Sequence, residues 1–197
     1  MKVYVEGGGS TRQQQAKLRR AFSQFIEQAG LTGTMPRVIA CGSRSVAFND
    51  FETGHKETGA IAILLVDSEG PVTADTPWQH LQDRDGWDRP LDTETDQCHL
   101  MVQVMESWFV ADREALAGFY GSDFRSNAIP QWPKIEEVPK GDVLSKLRQA
   151  TSSTRKGSYR KGRHGFEILG RLDPNKVMNA APHAKRFVDS LRKFGSF

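Results

Sequence analysis

The stretch GAIAILLVDSEG at residues 59–70 restricts the fold of this chain more than any other part of the sequence. From Ala60 to Val66 it is an unbroken run of seven apolar side chains, rich in branched aliphatics. A continuous apolar run bounded by turn residues is typical of a strand buried on both faces, as in a parallel sheet covered by helices. The stretch therefore predicts an α/β fold.

Two carboxylates, Asp67 and Glu69, follow this buried strand directly. Open α/β sheets bind their ligands in the crevice at the carboxyl ends of the strands. Two neighbouring carboxylates repel each other unless a cation, a proton or solvent shields them. The stretch therefore suggests a function as well as a fold.

Three other segments also read as a short strand followed by a helix, with strands at residues 2–5, 37–41 and 98–104. The clearest helix is capped by Ser10 or Thr11 and ends at Gly30, because apolar residues recur between them at helical spacing. Four such units predict a doubly wound, mostly parallel four-stranded sheet with helices on both faces.

The length of 197 residues allows one α/β domain with a small appendage. We assign the α/β domain to residues 1–121 and a basic helical C-terminal extension, packed on it as one unit, to residues 122–197. Helices in the extension are predicted at residues 143–150, capped by Asp142, and at residues 166–172 and 184–194.

A long polar connection is predicted at residues 72–97. We expect Trp78 and Trp87 to anchor it on the body of the protein, and we expect His80 to lie at the surface. The free thiols of Cys41 and Cys98 are expected to be reduced and buried, which suits the cytoplasm. The chain shows no signal peptide and no apolar run that could cross a bilayer.

Charge is unevenly distributed along the chain. Residues 1–139 contain 13 basic and 20 acidic residues, whereas residues 140–197 contain 14 basic and 4 acidic ones. Residues 152–165, the basic segment, combine glycines and serines with Arg155, Lys156, Arg160, Lys161 and Arg163. Such a composition suits flexible contact with the phosphates of a nucleic acid, and it equally suits a solvated loop.

Acidic residues also follow two other predicted strands, with Glu6 after the first and Glu106 after the fourth. The carboxyl ends of parallel strands lie close together, so Glu6, Asp67, Glu69 and Glu106 should converge. Clusters of carboxylate oxygens favour Mg²⁺ or Mn²⁺, which promote phosphodiester cleavage in many enzymes.

Two other features place phosphate-binding groups at this edge. Gly7 and Gly8 after the first strand allow a ligand to approach the backbone closely, although no Gly-Lys-Ser/Thr follows as in a Walker loop. Arg44 opens the helix after the second strand, where a local acidic partner is expected because the helix dipole disfavours a cation.

A glutamate-glycine after the first strand and an acidic pair after the third resemble the toprim fold of topoisomerases, bacterial primases and overcoming-lysogenization-defect nucleases. The whole chain resembles a bacterial family in that superfamily, the domain of unknown function 4276 family. The segments that carry this resemblance are VEGGG at residues 5–9, CGSR at 41–44, LLVDSE at 64–69, MESWFVAD at 105–112 and PHAKRFVDSL at 182–191.

The resemblance implies a Mg²⁺-dependent nuclease, often encoded beside an ABC-type ATPase, that acts in defence against phage. It implies catalytic roles for Glu6, Asp67 and Glu69, and a basic residue, Lys156 or Lys161, that stabilises charge on the scissile phosphate. The sequence departs from the usual Asp-x-Asp pair of toprim proteins, because Glu69 stands at the second position.

Two other functions fit the same residues. The protein could bind one structural Mg²⁺ or a nucleotide without catalysis and regulate an ATPase partner. A phosphotransfer enzyme or phosphohydrolase with a small substrate also uses a carboxylate cluster on an α/β sheet, but the basic segment favours a polymeric substrate.

Overall fold

A parallel sheet forms the centre of the protein in the computed structural model, which describes residues 1–57, 59 and 61–196. Its order is β2-β1-β3-β4, and all three pairings are parallel. This confirms the predicted α/β, Rossmann-like fold. Ala60, the first residue of the predicted apolar run, lies outside the described residues. The strands are β1 (Lys2–Glu6), β2 (Arg37–Gly42), β3 (Ala62–Asp67) and β4 (Cys98–Met101).

The helices in the described part of the chain cover both faces of the sheet, as predicted. Their bounds are α1 (Arg12–Gln28), α2 (Arg44–His55), α3 (Pro77–Asp85), α4 (Glu106–Ala111), α5 (Arg113–Tyr120), α6 (Lys140–Thr151), α7 (Lys161–Leu169), α8 (Pro174–Ala180) and α9 (Pro182–Gly195). None of the helices in those residues is long and apolar enough to cross a membrane.

The strand β3 is buried at all six of its positions, because alternate side chains enter two separate cores. Ile63 and Leu65 pack in the core with α1 and the C-terminal helices, whereas Leu64 and Val66 pack in the core with α2 and α3. Each fully buried aliphatic side chain contributes roughly 1.5–3 kcal/mol of hydrophobic stabilisation. This explains why the sequence of β3 is continuously apolar.

The register of the sheet brings the ends of β1 and β3 to one edge. Val5 pairs with Leu65, and Asp67 pairs with Met101 at the end of β4. Glu6 and Asp67 therefore end neighbouring strands. The fourth strand stops at Met101, three residues before the predicted end, and the chain then turns into α4.

The predicted polar connection contains a helix, α3, that the sequence interpretation missed. Thr76 caps it by accepting a hydrogen bond from the N–H of Gln79 at 3.1 Å, and Gly86 ends it with φ 70°. These capping signals were present in the sequence, but the short apolar stripe of α3 was too weak to stand out.

Burial within this connection follows the prediction for the tryptophans only. Trp78 is buried and donates to the carbonyl of Glu94 at 3.2 Å, while Trp87 stacks on Phe48 with ring centroids 4.5 Å apart. The prediction of a surface position for His80 is wrong, because His80 is buried and its Nε2 lies 3.0 Å from the Ser68 carbonyl oxygen. Both cysteines are buried and free.

The C-terminal helices also differ from prediction at their starts. Asp142 lies in the first turn of α6 and does not cap it, because the helix already begins at Lys140 after Pro139. The second half of the basic segment is helical, since α7 begins at Lys161. An additional helix, α8, starts after Asp173, whose side chain accepts from the N–H of Asn175 at 2.8 Å.

The extension shares its hydrophobic core with the sheet. Buried residues of α6 to α9, such as Leu147, Ile168 and Phe187, belong to the same cluster as Val5 of β1 and Phe22 of α1. The division at residue 121 stays a prediction.

Asp112 joins the helical extension to the α/β part of the chain. Its Oδ1 caps α5 by accepting from the N–H of Ala115 at 3.1 Å, and its Oδ2 accepts from the N–H of Asp173 at 2.8 Å. Lys176 also contacts it, with its Nζ 3.2 Å from Oδ1. The helical region that follows the fourth strand is divided at Asp112 into α4 and α5.

We predict that Asp112→Ala lowers the free energy of unfolding by roughly 2–4 kcal/mol, because it removes a cap and leaves buried donors without acceptors. Chemical denaturation measures this change. The matched control is Glu114→Ala, which removes the exposed partner of the same Lys176 and should leave stability unchanged. Equal effects of the two variants would show that the buried hydrogen bonds do not matter.

Candidate metal centre

Three of the four predicted metal ligands meet at the carboxyl edge of the sheet. Glu6, Asp67 and Glu69 each place a carboxylate oxygen within 4.8 Å of the other two. The first two end neighbouring strands, and Glu69 lies two residues beyond β3. The arrangement follows from the parallel register, which brings chemically similar strand ends together. We call these residues the carboxylate triad.

Asp67 is the most buried member of the carboxylate triad, with 3% of its surface exposed. Its Oδ1 accepts from the N–H of Met105 at 2.7 Å, and its Oδ2 lies 3.2 Å from the Nζ of Lys161. Burial raises the pKa of Asp67 to about 7, and the carboxylates of Glu6 and Glu106 act in the same direction against Lys161. The protein alone therefore compensates a negative charge on Asp67 only partly, and the folded protein resists its ionisation.

Glu6 is held in place by contacts to β3 and α2. Its Oε2 accepts from the N–H of Asp67 at 3.1 Å and lies 3.3 Å from a guanidinium nitrogen of Arg44. Burial raises the pKa of Glu6 above its usual value, although Arg44 and the Asp67 hydrogen bond oppose that change. Two members of the carboxylate triad thus resist ionisation for the same reason.

Glu69 takes an unusual backbone conformation, with φ 64°. A non-glycine residue in this region costs of order 1 kcal/mol, and such strain clusters at functional sites. Its N–H donates to the carbonyl of Gln103 at 2.7 Å, which fixes the turn after β3 against the turn after β4. Burial raises the pKa of Glu69, but an ion pair with Lys140 outweighs it and leaves the pKa lowered.

Glu106 lies beside the carboxylate triad but is not one of the three residues that meet within 4.8 Å. It is fully buried at the first position of α4, and its Oε1 accepts from the hydroxyl of Tyr159 at 2.7 Å. Its Oε2 has no hydrogen-bond partner among the described residues and lies 3.7 Å from the Nζ of Lys161. Metal ligation by Glu106 stays a prediction.

Of the two candidate catalytic lysines, the structure brings only Lys161 to the carboxylates. Burial lowers its pKa, but Asp67 and Glu106 outweigh burial and raise that pKa above the usual lysine value. Lys161 therefore stays charged at neutral pH. The Nζ of Lys156 instead lies over the ring of Phe119, 4.7 Å from its centroid.

Arg44 already has the local partners that its position at a helix start predicts. Its guanidinium forms two hydrogen bonds with Asp85, at 3.0 and 2.6 Å, and lies 5.1 Å from the ring centroid of Trp87. Together with its contact to Glu6, these interactions make Arg44 a positioning residue for the carboxylate triad. Sequence reasoning could not identify Asp85, because it missed α3.

The glycines after β1 form one wall of a cavity at the carboxylate triad. Gly7 (φ 118°) exchanges two backbone hydrogen bonds of 2.8 Å with Gly42, and a Cβ on Gly8 (φ 89°) would lie 3.1 Å from the Cα of Gln15. The cavity has a volume of about 280 Å³, and its lining includes Asp67 and Lys161. A phosphate-sized group fits beside the carboxylates there. The other basic residues of the basic segment, Arg155, Arg160 and Arg163, are exposed.

Residues outside the sequence predictions complete the site. Lys140 pairs with Glu69, and Tyr159 donates to Glu106. Both come from the C-terminal half of the chain, and only the fold shows that they reach the sheet edge. Tyr159 lies within the basic segment, but no feature of the sequence indicated that its hydroxyl donates to a buried carboxylate.

We predict that, in the presence of a chelator, stability falls as pH rises from about 4 to 7. Unfolded Asp67 releases its proton near its ordinary pKa of about 4, whereas the folded protein retains it to about pH 7, so ionisation favours unfolding in this window. Asp67→Asn should weaken this pH dependence of the melting temperature. Glu69→Gln is the control, since the pKa of Glu69 is lowered, so its ionisation stabilises the folded protein and its removal should not weaken the fall in stability. Equal pH dependence in all three proteins would contradict the account.

The chain has no match among curated proteins or solved structures. A protein-family model described as a domain of unknown function, DUF4276, matches residues 5–192. This range contains the carboxylate triad, Glu106 and Lys161, so the match extends over both the sheet and the helical extension. The chain therefore belongs to the DUF4276 family.

Proposed function

We propose that this protein is a toprim-type nuclease that uses Mg²⁺ or Mn²⁺ to hydrolyse phosphodiester bonds in DNA or RNA. The observation that carries the proposal is the convergence of Glu6, Asp67 and Glu69 within 4.8 Å, at the carboxyl edge of a parallel sheet. Glu6 and Asp67 line a cavity together with several glycines and Lys161, and the backbone of these glycines and the lysine ammonium suit a phosphate whose charge a cation shares.

The donor set fits a hard divalent cation. Carboxylate oxygens are the ligands that Mg²⁺ and Mn²⁺ prefer, and here they are supplied by the carboxylate triad. The buried Oε2 of Glu106, which has no hydrogen-bond partner among the described residues, adds a further oxygen beside the carboxylate triad. A cation bound there supplies Lewis acidity toward a phosphate and lowers the pKa of an attacking water.

Residues of the chain provide the remaining groups. Lys161 is half exposed, so its ammonium can turn from Asp67 toward a phosphate oxygen and stabilise charge there. Arg44 holds Glu6 in orientation through its own bonds to Asp85. The longer side chain of Glu69, where toprim proteins usually have aspartate, still reaches the other two carboxylates.

The proposal extends to a cytoplasmic complex with an ABC-type ATPase in defence against phage. Support comes from the resemblance to toprim nucleases at the glutamate-glycine after the first strand, Glu6 and Gly7, and at the acidic pair Asp67 and Glu69 after the third. The exposed basic segment gives such a complex a surface for nucleic acid.

A second candidate function is a non-catalytic subunit that binds a metal or nucleotide and regulates the ATPase. One observation favours it: the ammonium groups of Lys161 and Lys140 already contact two members of the carboxylate triad. Internal cations of this kind can fix carboxylates in a purely structural role.

We predict that purified protein cleaves plasmid, single-stranded DNA or tRNA only with Mg²⁺ or Mn²⁺, and that Asp67→Asn lowers the rate by more than about a hundredfold. The control is Glu27→Gln, which changes an exposed acid on α1. If calorimetry detects metal binding but no cleavage occurs, either with or without the ATPase, the result would instead support the regulatory subunit.

Lys161→Ala should lower the cleavage rate about 10²–10³-fold, because it removes a positive group beside the reacting phosphate. Lys156→Ala removes the same charge from the same segment. The Lys156 side chain lies over Phe119, away from the carboxylates, so this variant should cleave within a few-fold of the parent rate. Single-turnover kinetics separate this effect from weaker binding. Similar losses in both variants would place the reacting phosphate away from Lys161.

A further inference from the structure

Several exposed basic side chains on and around α1 and α7 have no ionic partner among the described residues. Other basic residues of the C-terminal half, such as Lys140, Lys176 and Arg186, pair with acids. In the described residues, no acid lies within 4 Å of the charged groups of several exposed residues on and around α1 and α7, namely Lys17, Arg20, Arg160, Arg163 and Arg171. Their charge is thus available to a polyanion from outside.

Part of this surface is a groove between α1 and α7. The groove encloses a cavity of about 530 Å³, with Lys17 and Arg20 from α1 and Arg171 from the end of α7 on its rim. The helices approach closely at its base, since a Cβ on Gly170 would lie 3.6 Å from the Cα of Ala21. Its lining includes one acid, Glu167, against three basic side chains.

The groove continues into the cavity of the carboxylate triad. Phe166 is half-buried and lines both cavities, so it lies at their junction. On one side of Phe166 are Asp67 and Lys161, and on the other are Arg20 and Arg171. A chain that occupied both cavities would pass over this aromatic ring.

Beyond the groove, the basic surface extends to Lys156. Arg171 and Lys156 both lie over the ring of Phe119, at 5.4 and 4.7 Å from its centroid. This contact explains why Lys156 does not reach the carboxylates. It places that lysine at the far end of the same basic surface.

We propose that the groove between α1 and α7 binds the backbone of a single-stranded nucleic acid, leading it over Phe166 to the carboxylate triad. The inference rests on the proposed nuclease function and specifies its substrate. Phosphates contact Lys17, Arg20 and Arg171, and an unpaired base contacts the exposed part of Phe166. Bases in a duplex are stacked inside the helix and cannot make that contact.

The geometry of α1 provides a matched control for this proposal. Successive residues of a helix are 100° apart, and buried Leu18 points into the core. Lys17 and Arg20 therefore lie on the flank that faces α7, whereas Arg19 lies on the opposite flank. Arg37 is exposed at the start of β2, at the opposite edge of the sheet from the carboxylate triad.

The test measures binding of a labelled oligothymidylate by fluorescence anisotropy in chelator, over a series of salt concentrations. The double variant Lys17→Glu/Arg20→Glu should weaken binding at least about tenfold and flatten the slope of log affinity against log salt by roughly 1.4. The control Arg19→Glu/Arg37→Glu changes the same charge and should stay within about twofold of the parent. Melting temperatures of both variants confirm that they fold.

Several results would overturn the inference. These are equal losses in both double variants, no loss in either, parent protein that does not bind, or a duplex that binds as tightly as the single strand. Competition by polyglutamate as strong as by oligothymidylate would point to an acidic protein instead. The binding assay does not depend on cleavage. If the groove variant binds more weakly but the parent protein does not cleave, only the proposed nuclease function is refuted. Cleavage by a groove variant that binds like the parent refutes only the groove.

Discussion

The ion pair between Lys161 and the buried carboxylate of Asp67 is the contact on which the site depends. It joins the end of β3 to the first residue of α7, which are 94 positions apart in the sequence. Through this ion pair, a lysine from the basic region, residues 140–197, offsets negative charge that the acidic region, residues 1–139, places at the sheet edge. Beside this contact, Ile168 and Leu169 of α7 share a hydrophobic core with Leu18 of α1, and this packing forms the groove beside the carboxylates.

The sequence predicted the centre of the site because a parallel sheet has few ways to arrange its strand ends. An apolar run followed by Asp67 and Glu69, with Glu6 after a neighbouring strand, was sufficient for that inference. The partners of these acids were harder to predict. Asp85 lies in α3, whose weak apolar stripe did not predict a helix. Lys156 and Lys161 are five residues apart, and only the tertiary fold shows which of them reaches the carboxylates.

Glu106 illustrates a different limit. Its position after β4 is visible in the sequence, but its complete burial and its bond to Tyr159 depend on how α4 packs under the helical extension. Burial of a carboxylate is costly unless it is paired, and one of its oxygens has no hydrogen-bond partner among the described residues. Unfavourable local energies of this kind, which also include the positive φ of Glu69 and the burial that raises the pKa of Asp67, are typical of functional sites.

We propose that the carboxylate triad holds a divalent cation. Anomalous diffraction from crystals soaked in Mn²⁺ tests it most directly, because the signal locates the ion independently of activity. We expect a single strong peak in contact with Glu6, Asp67 and Glu69, with the Nζ of Lys161 displaced from its position 3.2 Å from Asp67. A peak elsewhere, or none with Lys161 still paired to Asp67, would contradict it.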